Sequence, residues 1–395
     1  MKVLFKIILN LFFIPLFWFF SYVIPKKNNL LLFGSYFGYR FIGNPKYFYL
    51  YLLNRKNSEF IPFWITRNKN IYKMLKSENK PVVYLYSFAG IWSILRANYL
   101  IIEAASQDIT GRTFILGNFN IINLWHGTPL KDISLDSRKD QLLFHRIFCY
   151  FIKKEMKLYK FIISCSESSA DNMKTALLNN NIKVIGYPRN DIFFNKNLIY
   201  NDYKQKLNLS IYNKILLYAP TFRDNVNEII PFTEKNLLNL NELLKKKNYI
   251  FLVKNHPLSL FGKKIDILSL SNIKEISNEV DDIQELLLHI DILISDYSSI
   301  PFEFCLTNRP IILYCYDFDY YLKNCRKMYY NYFEEMPQAF AKNEEELFDL
   351  IDDFDWSTSS NYKDKYKFFT EKFNKYQDGM ACDRLYELIL KYIYK

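Results

Sequence analysis

Two histidines stand where a chain of alternating strands and helices would carry catalytic groups. His126 follows the apolar run 121–125 and precedes Gly127, while His256 follows the run 250–254 and precedes Pro257. A side chain leaving the carboxyl end of a parallel strand faces the ligand-binding edge of its sheet. A neutral imidazole there can take the proton of an attacking hydroxyl. The other two histidines, His145 and His289, lie in apolar helical contexts and read as structural. Three more strand-end loops suit an anion. Two of them, 186–191 and 219–224, carry Arg189 and Arg223, whose planar forks match phosphate oxygens. The third carries Ser298 and Ser299 ahead of a helical run with Pro301 in its first turn. Hydroxyls and free N–H groups at a helix start attract phosphate. Lys131 and Lys254 add positive charge near the two histidines.

Other chemistries lack their residues. No Walker A loop, G-x-G-x-x-G, H-E-x-x-H or G-x-S-x-G is present, which excludes P-loop kinases, dinucleotide oxidoreductases, zincins and elbow-type hydrolases. Six cysteines form no C-x-x-C pair and no Cys/His cluster, which excludes a disulfide scaffold and argues against a structural zinc site. Two D-x-D pairs occur, Asp317 with Asp319 and Asp353 with Asp355. The first follows a strand, where a metal–diphosphate site would use it, but no metal ligand is assigned to it; the second reads as a solvated acidic patch.

These loops need a scaffold of parallel strands. Strand candidates are 30–33, 62–66, 82–85, 100–102, 121–125, 161–164 and 183–185, then, after a polar stretch at 195–213, 215–218, 250–254, 291–295 and 311–314. Strands alternating with helical patterns predict α/β units. Two such series predict two Rossmann-like domains facing across a cleft, at 29–200 and 201–395. The length of 395 residues suits two domains, and the net charge of +11 points to polyanionic partners. Basic residues are not interleaved with aromatics in one patch, which argues against nucleic acid. Ahead of the domains, residues 7–25 run without a charge between Lys6 and Lys26-Lys27. That length suits a membrane-attached helix, spanning or interfacial, over 1–28. Lys2, Lys6, Lys26 and Lys27 would then meet an anionic membrane surface on the cytoplasmic side.

The set of motifs resembles a known family. N-L-W-H-G-T-P-L-K (123–131), G-Y-P-R-N-D (186–191), Y-A-P-T-F-R-D (218–224), N-H-P (255–257), D-I-L-I-S-D-Y-S-S (291–299) and P-I-I-L-Y-C-Y-D (310–317) are similar in order and spacing to the CDP-glycerol glycerophosphotransferases. These are the teichoic-acid primases and polymerases and their capsule-synthesis relatives. L-L-F-G-S-Y-F-G (31–38), N-P-K-Y (44–47) and F-N-K-Y-Q-D-G-M-A-C-D-R (373–384) extend the likeness to nearly all of the chain after residue 28. The resemblance implies a GT-B architecture. It also implies transfer of glycerol phosphate, or a similar polyol phosphate, from a CDP-activated donor to a hydroxyl of a polymer or lipid-linked glycan, with release of CMP. No cofactor follows from it, since the CDP-polyol is a substrate. His126 and His256 fall at the family's two essential histidines. Donor contacts would come from Trp125, Gly127, Thr128, Pro129, Arg189, Pro220, Thr221, Lys254, Asn255, Ser298, Ser299 and Glu303, with Arg223 adding charge stabilisation. Lys254 stands where the family commonly has Arg, Phe222 where it has Trp, and Glu303 where it has Asp. Placement at the cytoplasmic face of the cell membrane is expected.

Fold alone does not decide chemistry. A GT-B glycosyltransferase using a nucleotide sugar and a CDP-ribitol transferase are the enzymatic alternatives. A basic membrane scaffold is the non-enzymatic one, and it has no need of two strand-end histidines.

Overall fold

The structure is a computed structural model that describes residues 2–138, 143–195, 199–221, 223, 231–254, 270–337, 339–353 and 359–393. Short runs such as Leu31-Leu32-Phe33 and Ile292-Leu293-Ile294 have no polar member and are buried throughout. Continuous apolar runs of this length form strands covered on both faces, as parallel sheets require. The chain divides into two compact units: Met1–His126 with Ile133–Leu198 and Lys375–Lys395, and Gly127–Asp132 with Ile199–Asn374.

The first unit holds seven strands, β1 (Lys27–Phe33), β2 (Ile61–Thr66), β3 (Val82–Tyr84), β4 (Ala97–Ile102), β5 (Asn120–Asn123), β6 (Tyr159–Ser164) and β7 (Ile182–Val184). They pair in the order β3-β2-β1-β4-β5-β6-β7, every pair parallel. The second unit holds β8 (Lys214–Ala219), β9 (Tyr249–Val253), β10 (Ile273–Glu275), β11 (Ile292–Ser295), β12 (Ile311–Tyr314) and β13 (Phe340–Ala341). Its order is β10-β9-β8-β11-β12-β13, again all parallel. Each sheet reverses its winding once, between β1 and β4 and between β8 and β11. Loops leaving such a switch point diverge and open a crevice at the strand ends. In the second sheet, Leu216, Phe251, Ile294 and Ile312 are buried in one apolar cluster with Leu237, Leu240 and Leu244 of the helix Glu234–Lys247. Full burial of each such side chain contributes about 1.5–3 kcal/mol.

The division of the chain differs from the expected one at three places. The final helix, Ala381–Ile393, belongs to the first unit rather than the second. Asp191 caps it, accepting hydrogen bonds from the N–H groups of Ala381 (3.0 Å) and Cys382 (2.8 Å). The Tyr51 hydroxyl and the Arg55 guanidinium both hold Asp383. Residues 127–132 belong to the second unit: Lys131 pairs antiparallel with Met328, and Asp132 N–H donates to Lys327 O (3.0 Å).

The third difference is the N-terminal helix, Lys2–Val23, which is fastened to the first unit by polar groups. Asn10 Oδ1 accepts from Phe114 N–H (2.9 Å) and Ser21 Oγ from Asn118 N–H (2.9 Å). The outward face is apolar, with Leu11, Phe12, Trp18, Phe19, Tyr22 and Val23 exposed. Among the described residues, no helix is long and apolar enough to cross a membrane. Lys26 also departs from expectation. Its ammonium turns inward to Leu95 O (2.9 Å) over the Phe119 ring, and burial lowers its pKa to about 8.

Candidate functional site

In the first unit the site is built on the end of β5. Asn123 closes the strand: its Oδ1 accepts from Trp125 N–H (2.8 Å) and its Nδ2 donates to Ala104 O (3.0 Å). Trp125 then takes φ +51°, a left-handed conformation costing a non-glycine residue roughly 1–2 kcal/mol. Asn44 holds it there. Its amide nitrogen donates to Leu124 O (2.9 Å) and Trp125 O (2.8 Å), while its oxygen accepts from Arg189 N–H (3.1 Å). One buried amide therefore joins three of the sequence motifs. The Arg189 guanidinium closes the frame by donating to His126 O (2.9 Å).

This frame presents the imidazole. His126 is the one exposed residue between 121 and 130. Its ring lies 4.4 Å from that of Trp125, and its Nδ1 is 3.5 Å from Glu103 O, the long limit of a hydrogen bond. A proton on Nδ1 directed at that carbonyl leaves the Nε2 lone pair for an incoming hydroxyl. Dense packing and the Arg189 charge lower the imidazole pKa to about 4, although the ring keeps an open edge. The group is therefore neutral at physiological pH, the form a general base requires.

Glu103, which sequence reasoning did not single out, stands at the end of β4. Its carboxylate approaches Arg189 at 4.0 Å and rests so close to Gly43 that a Cβ there would stand 1.8 Å from Oε1. Asp108 was also missed. Its carboxylate accepts from the N–H groups of Phe37 (2.9 Å), Glu103 (3.0 Å) and Ala104 (2.8 Å). An acidic residue after an apolar run was the available signal for Glu103; Asp108 gave none.

In the second unit, the loops after β8, β11 and β12 meet around Arg223. Its guanidinium forks onto Asp317 (2.9 and 2.8 Å), pairs with Asp296 (2.6 Å) and donates to Thr221 O (2.5 Å). Asp296 accepts from Thr221 N–H (2.8 Å) and Asp317 from the Tyr297 hydroxyl (2.9 Å). The guanidinium is 8% exposed and faces the rings of Tyr297, Tyr316 and Tyr321. This corrects one expectation. Arg223 is consumed by internal carboxylates instead of standing ready for phosphate, and Asp317 belongs to the same cluster. The cluster fixes Thr221, whose hydroxyl is buried without a partner among the described residues.

The other expected donor contacts have varied environments. Lys254 donates its ammonium to Val280 O (2.6 Å). Ser298 and Ser299 are partly exposed, and Ser298 Oγ accepts from Ile300 N–H (3.3 Å). The helix after them, Pro301–Phe304, has only four residues, so its dipole is smaller than the sequence suggested. Glu303 and Thr128 are buried, as are Gly127 and Pro129, while Pro220 is partly exposed. Gly127 has φ +135°. His256 and Asn255 lie outside the described residues.

The family model for CDP-glycerol:poly(glycerophosphate) glycerophosphotransferases matches residues 16–391. The chain belongs to this family. It is 30% identical to a teichoic acid glycerol-phosphate transferase of Staphylococcus aureus, over 93% of this chain and 94% of that protein. It is 36% identical to a teichoic acid glycerol-phosphate primase of Bacillus subtilis, over 75% of this chain and 76% of that one. A solved structure of the wall teichoic acid polymerase TagF covers 93% of this chain, and 90% of its own, with a TM-score of 0.76 and 25% identity.

Proposed function

We propose that the chain transfers glycerol phosphate from CDP-glycerol to a hydroxyl of a teichoic-acid acceptor, with His126 as general base. The family match supports the reaction class. The observation that carries the role of His126 is an exposed imidazole held neutral on a braced turn. The acceptor oxygen forms a bond to the phosphorus that bears glycerol, its proton passes to His126 Nε2, and the phosphoanhydride bond to CMP breaks. The leaving CMP has a second pKa of about 6, so it needs charge stabilisation more than an acid. Phosphoryl transfer depends chiefly on positioning and charge neutralisation. Arg189, Lys254, Ser298, Ser299 and the Thr221 hydroxyl, which has no partner among the described residues, are the proposed donor contacts, with His256 and Asn255 added on family resemblance, and a GT-B architecture is part of this reading. Incubation with CDP-glycerol and an acceptor should release CMP, and His126→Ala should stop that release. Turnover of CDP-ribitol or a UDP-sugar in its place would overturn the donor assignment.

The enzyme is further proposed to work at the cytoplasmic face of the cell membrane on a lipid-linked acceptor, with the N-terminal helix lying in the interface. Its polar fastening at Asn10 and Ser21 and its apolar outer face support an in-plane helix over a span. Phe12→Glu with Phe19→Glu should abolish flotation with anionic vesicles, and unchanged flotation would sink the idea.

A further inference from the structure

The loop after β1 carries the motif Leu31-Leu32-Phe33-Gly34-Ser35-Tyr36-Phe37-Gly38, to which the mechanism gives no task. Its backbone is unusual. Tyr36 and Phe37 have φ +46° and +56°, left-handed values that bulky residues adopt only when their surroundings impose them. The restraints are visible. Phe37 N–H donates to Asp108 Oδ1 (2.9 Å), Gly38 O accepts from Arg67 N–H (2.9 Å) and from Thr66 Oγ1 (2.8 Å). Gly34 allows the close approach, since a Cβ there would stand 2.4 Å from Asp108 O. The strained backbone turns aromatic rings outward: Tyr36, Phe37 and Tyr39 are 41%, 45% and 43% exposed.

Two arginines lie on those rings. The Arg40 guanidinium is 4.6 Å from the Tyr36 ring centre, and that of Arg67 is 4.2 Å from the Tyr39 ring. Tyr86, itself exposed, stands 5.9 Å from Arg67 on the other side. Neither guanidinium has a carboxylate partner among the described residues. Guanidinium planes stacked on rings keep their N–H edges free for an anion. The place is also suitable. β1 is followed in the sheet by β4 and then β5, so two strand spacings of about 4.8 Å put the loop roughly 10 Å from the end of β5. Asp108 braces both the loop and the turn after β4, against which His126 Nδ1 lies.

We infer that Tyr36, Phe37, Tyr39, Arg40 and Arg67 form an acceptor subsite that takes a phosphate-bearing polyol or glycan, rings against its carbon face and guanidinium groups on its phosphate. The inference rests on the proposed transfer to such an acceptor, and it extends that reading to the part of the acceptor one unit behind the attacking hydroxyl.

The test uses the full chain and a short glycerol-phosphate oligomer without lipid, in buffer without vesicles. Binding of the oligomer is measured by calorimetry, and KM values for oligomer and CDP-glycerol by CMP release. In Arg40→Ala with Arg67→Ala, and separately in Phe37→Gly, which relieves the backbone strain, oligomer affinity should fall roughly tenfold or more. The KM for CDP-glycerol should stay near that of the wild type. Arg40→Lys with Arg67→Lys should recover part of the loss, because charge is kept while stacking is not. Folding is checked by thermal melts, and Phe37→Gly still tests the subsite if the arginine variant unfolds. Unchanged oligomer affinity in folded variants would overturn the subsite. So would a defect seen only with vesicle-borne acceptor, which would assign the patch to the membrane. If the wild type binds oligomer yet releases no CMP from CDP-glycerol, the donor reading fails while calorimetry still judges the subsite.

Discussion

The turn at His126 and the cluster at Arg223 look alike in sequence, each a basic residue in a strand-end loop, and they resolve oppositely. At His126 the surrounding amide and guanidinium groups are engaged with the backbone, so the imidazole, with Nδ1 toward Glu103 O, keeps an exposed edge. At Arg223 the side chain itself is engaged, by two buried carboxylates and a carbonyl. The contrast teaches that a basic group stays available when its neighbours are satisfied elsewhere, and becomes architectural when it satisfies them. A buried pair is costly to break even where it adds little net stability, because the surviving partner keeps its charge without solvent.

The sharpest way to break the contrast is to exchange the two phenotypes. His126→Ala should lower the transfer rate by about 10²–10⁴-fold with an unchanged melting temperature; a rate within a few-fold of wild type would remove the base from the mechanism. Arg223→Ala should instead destabilise the second unit by about 3–5 kcal/mol, seen as a shifted denaturant midpoint. Lost donor affinity at full stability would return Arg223 to the role first read from its sequence. Ser298→Ala with Ser299→Ala should weaken CDP-glycerol by roughly tenfold at constant acceptor KM, and a changed acceptor KM would contradict the donor placement. The pH dependence gives a finer test. With the folded imidazole at about 4 and a free one near 6.5, the acid limb of kcat/KM should lie well below 6.5. Above 6.5 the imidazole is neutral in both states; as pH falls from 6.5 toward 4 the unfolded chain takes up the proton first, so stability falls. The smallest effect is expected at Glu155, buried against Ser106 and Tyr159, whose pKa burial raises to about 7. Its contribution is present below the ordinary carboxylate pKa and is lost as pH rises through about 7. Glu155→Gln should flatten that slope in melts taken between pH 5 and 8.

Much of this was legible from residue order. All eleven strand candidates correspond to strands, because buried parallel strands are unbroken apolar runs and need no partner to be seen. β10 and β13 escaped: β10 has one apolar residue among its three, and β13 has only two residues. The position of His126 was readable from its turn, whereas its neutral state was not, since Arg189 lies 63 residues away in the chain. Arg223 was misread for the same reason: Asp296 and Asp317 are 73 and 94 residues distant. Asn44 stood in the sequence only as part of the motif 44–47, and the crossing of three loops reveals its work. Residue type reports what a group can do, and the partners brought by topology decide which of those things it does.

The return of the last helix to the first unit bears on how the protein is made. Ala381–Ile393 leaves the ribosome after every residue of the second unit, yet Asp191, Tyr51 and Arg55 wait for it in the first. The earlier domain usually finishes first during synthesis; here the first unit cannot complete these contacts until residue 381 and its successors have been made. Most of the second unit can condense from a nearly continuous stretch while the first stays open along the edge where the helix will dock. A nascent chain arrested before residue 381 should then show a protease-resistant second unit beside a cleavable first one. Translation pausing late in the message would lengthen the life of that half-closed intermediate, with its apolar N-terminal helix already exposed to chaperones and lipid.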